Sequence, residues 1–250
     1  MAEITSTSML PANRIEIELI TSDKLTLVGE LAMPKDSVPV ATMICLHPLP
    51  THGGMMDSHI FRKAAWRLPE LSSIAVLRFN FRGAESARGK SQGFWDSANG
   101  EGKDLIAAVD FVKQKELPKP WLVGWSFGTD VVLKHARHLD IAGVILLSPP
   151  LRWTSEIELT QWKDFKLPFV ALIPEFDDFL PPIKARERFS QLPNIKLIEV
   201  AGAKHLWTGE PSVYRVLSEI VSNLNPAAIP IPQEYDGDMT RFVEPIGKNS

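Results

Sequence analysis

Three stretches of the chain hold residues that together could carry out nucleophilic chemistry. The first is Gly124-Trp125-Ser126-Phe127-Gly128, a serine set midway between two glycines. An apolar run from Trp121 leads into it, and a segment able to continue as a helix leaves it. A serine at a sharp strand-to-helix turn stands clear of the backbone. Side chains two positions to either side would collide where strand and helix meet, which accounts for both glycines. A serine hydroxyl becomes a useful nucleophile when a base takes its proton, and the base needs an acid to hold its tautomer and stabilise the charged ring. With glycine and serine each near 7% abundance, this spacing arises by chance in roughly one chain in twelve of this length. Its weight therefore rests on whether base, acid and oxyanion donors follow in a workable order.

They do. Beyond the helix expected after Ser126, His205 is the one remaining histidine, in Gly202-Ala203-Lys204-His205 just past the strand expected over Ile195 to Val200. Between the two, Phe169 to Ile173 ends in Pro174-Glu175-Phe176-Asp177-Asp178. Asp177 is the first candidate for the acid, ahead of Asp178, with Glu175 third. The end of the preceding strand, Ser148-Pro149-Pro150-Leu151, offers no acid. Stabilising a tetrahedral oxyanion takes two backbone donors. One is expected from Phe127, directly after the nucleophile. The other is expected from the loop after residues 40–46, where Pro48 and Pro50 lack an N–H and leave Leu49 as the nearest donor.

Elements that position these groups can be read from the hydrophobic pattern. Residues 15–20 alternate and pair naturally with 25–33 as an opening hairpin. Residues 40–46, 74–79, 121–124, 142–147 and 168–173 are apolar runs of the kind buried on both faces of a parallel sheet, and 195–200 reads as a further strand. Helical spacing occurs at about 58–68, 101–115, after Ser126, near 183–192 and at 211–224. Strand and helix thus alternate from 40 to 224, which predicts an α/β fold: a mostly parallel central sheet of about eight strands flanked by helices. Ser126, the acidic cluster and His205 all fall at the C-terminal ends of strands, where open α/β sheets gather their sites. Residues 1–224 are expected to form one domain, with a short lid segment at about 151–167 and a proline-rich tail over 225–250.

With 250 residues, 44% of them hydrophobic, the chain can bury a full core. A net charge of -3 gives no general attraction to nucleic acid or to anionic membrane, and neither is expected as a partner. Cys45 is the lone cysteine and sits in an apolar run, so no intramolecular disulfide or thiolate metal cluster can form. No apolar stretch is long enough to cross a bilayer, and a cytoplasmic location is expected.

The remaining histidines have other expected places. His47 closes a central strand and is read as a buried, hydrogen-bonded residue beneath the site. His52, in a glycine loop, is a candidate for the substrate entrance. His59 is expected to be exposed, and His135 and His138 to lie on a partly exposed helix face; His135 is already about 13 Å along a straight helix from Ser126. Trp125, Trp153 and Trp207 are candidates for an apolar substrate wall. Arg82, Arg88 and Arg152 are candidates for a substrate carboxylate.

Together, Leu46-His47-Pro48-Leu49-Pro50-Thr51-His52-Gly53-Gly54-Met55-Met56-Asp57, Leu77-Arg78-Phe79-Asn80-Phe81-Arg82-Gly83, Gly124 to Gly128, Pro174 to Asp178 and Gly202 to His205 resemble the α/β-hydrolase superfamily, and within it the small, nearly lidless bacterial serine hydrolases. The likeness covers about residues 25–224 and departs from many relatives at Pro48, Pro174 and Glu85, where glycine is usual. It implies Ser126 as nucleophile, Asp177 as acid and His205 as base. The implied activity is that of a serine hydrolase of carboxylic esters, with amides or thioesters as lesser options, acting on a small-molecule acyl substrate without metal or organic cofactor. The alternative is a ligand-binding or interaction protein that keeps the fold without catalysis.

Overall fold

The computed structural model describes residues 1–242. The opening hairpin forms from β1 (Asn13–Ile20) and β2 (Thr26–Met33), paired antiparallel. Six strands then run parallel: β3 (Ala41–Leu46), β4 (Ile74–Phe79), β5 (Pro120–Trp125), β6 (Gly143–Leu147), β7 (Phe169–Phe176) and β8 (Ile195–Lys204). Their order across the sheet is β8-β7-β6-β5-β3-β4-β2-β1, with β2 antiparallel to β4. This is the eight-stranded, mostly parallel sheet the sequence predicts.

The helices are α1 (His59–Ser72), α2 (Glu101–Gln114), α3 (Phe127–His135), the five-residue α4 (Glu156–Thr160), α5 (Pro182–Phe189) and α6 (Glu210–Leu224). Packed against the sheet, they produce two cores. Leu105, Val109, Val131 and Phe189 belong to the one on the α2, α3 and α5 side; Phe61, Leu68, Leu217 and Ile220 belong to the one under α1 and α6. Strands β3, β4 and β6 are buried along their whole length because helices cover both faces, which is why their sequences are continuously apolar rather than alternating. No helix among the described residues is long and apolar enough to cross a membrane.

The chain leaves β3 toward β4 on one side and later returns to place β5 on the other, so the C-terminal ends of β3 and β5 are neighbours at the point where the strand order reverses. Leu46 pairs with Gly124 across that junction. This topology opens a crevice between the loop after β3 and the turn after β5.

The C-terminal stretch, expected as a proline-rich tail, packs on the chain's own N-terminus. Glu234–Tyr235 pairs antiparallel with Ala2–Glu3, and Thr240–Arg241 with Ser8–Met9. Ile231 is buried in the α1 and α6 core, and its carbonyl accepts the Tyr214 hydroxyl at 3.1 Å. Backbone pairing needs no side-chain periodicity, so the proline-interrupted sequence hides it. Residues 243–250 of the expected tail lie outside the described residues.

Candidate active site

The turn from β5 into α3 is as sharp as the two glycines require. Ser126 has φ 52° and ψ -118°, a conformation L-residues avoid. A Cβ on Gly124 would come within 2.7 Å of the Gly128 carbonyl oxygen, and one on Gly128 within 1.9 Å of the Leu46 carbonyl oxygen. Both glycines are thus required by backbone contacts, one inside the turn and one between α3 and β3. The strained serine is held by its own N–H donating to the Leu147 carbonyl at 2.9 Å, and by its carbonyl accepting the Thr129 hydroxyl at 2.6 Å.

The ends of β7 and β8 bring an acid and a histidine to this turn. His205 Nε2 lies 2.9 Å from Ser126 Oγ, and His205 Nδ1 lies 2.9 Å from Asp177 Oδ2. Oδ1 of Asp177 accepts the N–H groups of Phe179 at 2.9 Å and Leu180 at 3.1 Å, so the carboxylate is braced by its own turn. Asp177 is buried, whereas Asp178 and Glu175 are exposed; Glu175 accepts the Gly202 N–H. Neither reaches the histidine. The His205 carbonyl accepts two buried donors, Trp125 Nε1 at 3.2 Å and Ser148 Oγ at 3.1 Å, which fix the loop carrying the ring.

Beside Ser126, the loop after β3 is organised by His47. This fully buried ring accepts the Phe81 N–H on Nε2 at 3.0 Å and donates from Nδ1 to the Pro48 carbonyl at 2.6 Å. Burial pushes its pKa down to about 4, so it stays neutral, as this donor–acceptor pattern needs. The Pro48 carbonyl and the Leu49 N–H belong to one planar trans peptide, so anchoring the first aims the second in the opposite direction. No hydrogen bond within the described residues uses the N–H of Leu49 or of Phe127, and Phe127, as the first residue of α3, has no intrahelical acceptor. Two unspent amides therefore lie near the serine: Phe127 follows it in the chain, and Leu49 lines the same cleft.

A cleft of about 440 Å³ opens over Ser126 and His205, walled by Leu49, Trp153, Phe179 and Leu206 and edged by His52, Arg152 and Asp178. A larger hollow of about 640 Å³, between the N-terminal segment, α1 and α6, is lined by none of these residues and contains the Arg67–Glu210 ion pair.

No family model matches the chain. It is 26% identical over 161 residues to an uncharacterized protein of Rickettsia prowazekii, an alignment covering 63% of this chain and 65% of that protein's length. An α/β serine hydrolase homologue from Coxiella burnetii superposes with a TM-score of 0.72 at 26% identity, covering 86% of this chain and 99% of that one. An α/β serine hydrolase without a lid from Xanthomonas campestris gives 0.71 at 25% identity, covering 90% and 99%. The chain belongs to the α/β-hydrolase superfamily. An esterase from Pyrococcus furiosus shares the fold, with a TM-score of 0.71 at 20% identity over 86% of this chain and 93% of that one.

Within this α/β-hydrolase, several candidate residues occupy other places than the sequence suggests. Trp125 and Trp207 do not line the cleft: both are buried on the α1 and α6 side, where strand alternation turns the Trp125 indole away from the serine. Trp153 and His52 do line it. His59 is half-buried rather than exposed, with its ring edge-on to Trp125 at 5.2 Å and Nε2 donating to the Trp207 carbonyl at 3.2 Å. Arg82 is committed to Asp104 and Asp23, and Arg88 to Glu16 and Glu30, which leaves Arg152 as the arginine at the cleft. His135 donates to the Ala98 carbonyl at 2.6 Å, and His138 is exposed. Sequence reasoning missed Phe179, whose ring stands 4.5 Å from that of His205. The available signal was its position two residues after Asp177, inside the turn that braces the acid.

Proposed function

We propose that the protein is a serine hydrolase that cleaves carboxylic esters of small molecules through an acyl-enzyme. The observation carrying this reading is the continuous hydrogen-bonded chain from Ser126 Oγ through His205 to Asp177, whose serine and histidine line an apolar cleft that also holds Leu49, one of two unspent amides near the serine. Likeness to serine hydrolases at 25 and 26% identity supports hydrolysis as the reaction class.

In this mechanism Ser126 Oγ attacks the carbonyl carbon while its proton passes to His205 Nε2. The carbonyl π electrons move onto oxygen, and the N–H groups of Leu49 and Phe127 receive that charge. Collapse expels the alkoxide, which leaves as the alcohol with the proton from His205. Water, deprotonated by the same ring, then attacks the acyl-enzyme and releases the acid, returning the proton to Ser126. Asp177 holds the Nδ1–H tautomer and stabilises the imidazolium; the two hydrogen bonds it accepts from the Phe179 and Leu180 N–H groups keep it aligned for that role. The apolar wall suits an uncharged acyl or aryl group.

A fluorophosphonate probe and a short p-nitrophenyl ester test the reading together. Covalent labelling at Ser126 is expected, with loss of turnover by about 10⁴-fold for Asp177→Asn and about 10⁶-fold for His205→Ala. Asp178→Asn is expected to retain most activity because its carboxylate touches neither partner. A folded wild-type chain that is neither labelled nor active would be a ligand-binding protein of the same fold, and an inactive Asp178→Asn beside an active Asp177→Asn would reassign the acid.

A further inference from the structure

The segment beyond β6 enters the cleft through Arg152 and Trp153, and it is fastened to α3, the helix that begins next to the nucleophile. Asp130, in the first turn of α3, is fully buried. It does not cap its own helix. Its Oδ1 instead accepts the Trp153 N–H at 3.2 Å and the Thr154 hydroxyl at 2.6 Å, with the backbone amides of Arg152 and Thr154 also directed at the carboxylate. One turn later on the same helix, Lys134 Nζ donates to the Trp153 carbonyl at 3.2 Å and pairs with Glu158 at 2.9 Å. Both polar groups of the Trp153 backbone are therefore held by side chains of α3. The indole is in turn edge-on to Phe127 at 5.2 Å and to Trp95 at 6.1 Å, so its place is referred to the residue that carries an oxyanion amide.

Burying a carboxylate without a cation is costly, and here burial lifts the Asp130 pKa to about 6 while Oδ2 has no partner. A packing role alone would be filled more cheaply by an apolar residue. What the carboxylate supplies is directional: acceptors aimed at one short segment, which leaves β6 through a left-handed residue, Leu151 at φ 50°, and has little regular structure of its own.

We propose that Asp130 is a positioning residue that fixes the Arg152–Trp153 wall relative to Ser126 and thereby sets the length of acyl group the cleft accepts. The proposal rests on the ester-hydrolase reading and deepens it: the substrates are esters of short acyl or compact aryl acids that fit between Ser126 and a stationary Trp153. Nucleophile and wall are both referred to one helix, so the gap between them is set by a single rigid element.

The test is a series of p-nitrophenyl esters from acetate to decanoate, with kcat and KM measured for wild type, Asp130→Ala, Asp130→Asn, Trp153→Ala and the double variant. Trp153→Ala is expected to raise the decanoate-to-acetate ratio of kcat/KM by about tenfold or more, since it removes the wall. Asp130→Ala is expected to shift the ratio the same way, with the change carried in KM, because the wall is freed and the reacting groups are untouched. Asn keeps an acceptor at Oδ1, so Asp130→Asn should return the ratio to within about threefold of wild type. The double variant should select no differently from Trp153→Ala alone, since Asp130 acts through that side chain. If Asp130→Ala fails to fold, Thr154→Val removes the 2.6 Å donor from the other side and is expected to shift selectivity in the same direction. An unchanged chain-length profile in these variants, or additive effects in the double variant, overturns the proposal while leaving ester hydrolysis intact. Absence of turnover on every ester, with no fluorophosphonate labelling of Ser126, overturns both.

Discussion

Replacing His47 with phenylalanine separates packing from hydrogen bonding at the loop that presents Leu49. The ring volume and the 4.6 Å contact with Phe81 survive, but both ring nitrogens are lost. The Phe81 N–H is then buried without an acceptor, which costs about 1–3 kcal/mol. The Pro48 carbonyl is released, so the Leu49 N–H is no longer aimed. Losing one oxyanion donor outright costs about 10²–10³ in kcat, which sets the upper bound; a misaimed donor is expected to cost about 10–100-fold. The pH dependence adds a second signature. The folded-state pKa, about 4, is below the ordinary value of 6.5, so the neutral ring's contribution is complete above pH 6.5 and is lost as pH falls toward 4. At about 1.4 kcal/mol per pH unit, about 2 kcal/mol of the stability difference between wild type and variant should vanish between pH 7.5 and 5. Urea denaturation at the two pH values measures that difference, and initial rates on a short p-nitrophenyl ester at pH 7.5 measure kcat. A variant with wild-type kcat would refute the link between His47 and the oxyanion amide. A stability difference that stays constant with pH would refute the assignment of a neutral buried ring.

Gly128→Ala places a Cβ about 1.1 Å closer to the Leu46 carbonyl oxygen than the 3.0 Å that real contacts keep. Separating α3 from β3 is expected to cost about 1–3 kcal/mol of stability and, by displacing the Phe127 amide from its partner loop, about 100-fold in kcat; thermal melts and ester kinetics check the two, and a fully active variant would refute the close approach. Truncation after Asn225 removes buried Ile231 and the strand pairs with the N-terminus, so the melting temperature should fall by several degrees, from the loss of about 1.5–3 kcal/mol for one buried aliphatic side chain. An unchanged melting temperature would show that the C-terminal stretch adds nothing to the fold.

Much of the site is legible in one dimension because its parts obey strong local constraints. Ser126 needs glycines at fixed offsets, and the buried parallel strands need continuous apolar runs, so both the strand ends and the groups placed on them can be found by spacing. His47 could be read as buried because it ends such a run. The order of serine, acid and histidine places Asp177 and His205 at the ends of β7 and β8, and the physical reason that Asp177 rather than Asp178 meets the histidine is spatial. The braced turn buries one carboxylate against His205 and leaves its neighbour in solvent.

Which side a residue faces was likewise decided by the tertiary structure. Trp125 adjoins Ser126 in sequence, yet the pleat sends its indole to the opposite core, where it holds the His205 carbonyl instead of lining the cleft. Trp153, with no helical or strand periodicity to report its direction, is turned into the cleft by Asp130 and Lys134 from an element some twenty residues earlier. The C-terminal pairing with the N-terminus is invisible for the same reason: long-range backbone hydrogen bonds leave no pattern in the side chains. The sequence by itself determines the strand ends and the chemical groups standing on them, because burial and backbone sterics act locally on residue type. Only the tertiary structure decides which of two adjacent carboxylates meets the histidine and which tryptophan lines the cleft, because those outcomes depend on directions set by contacts between distant segments.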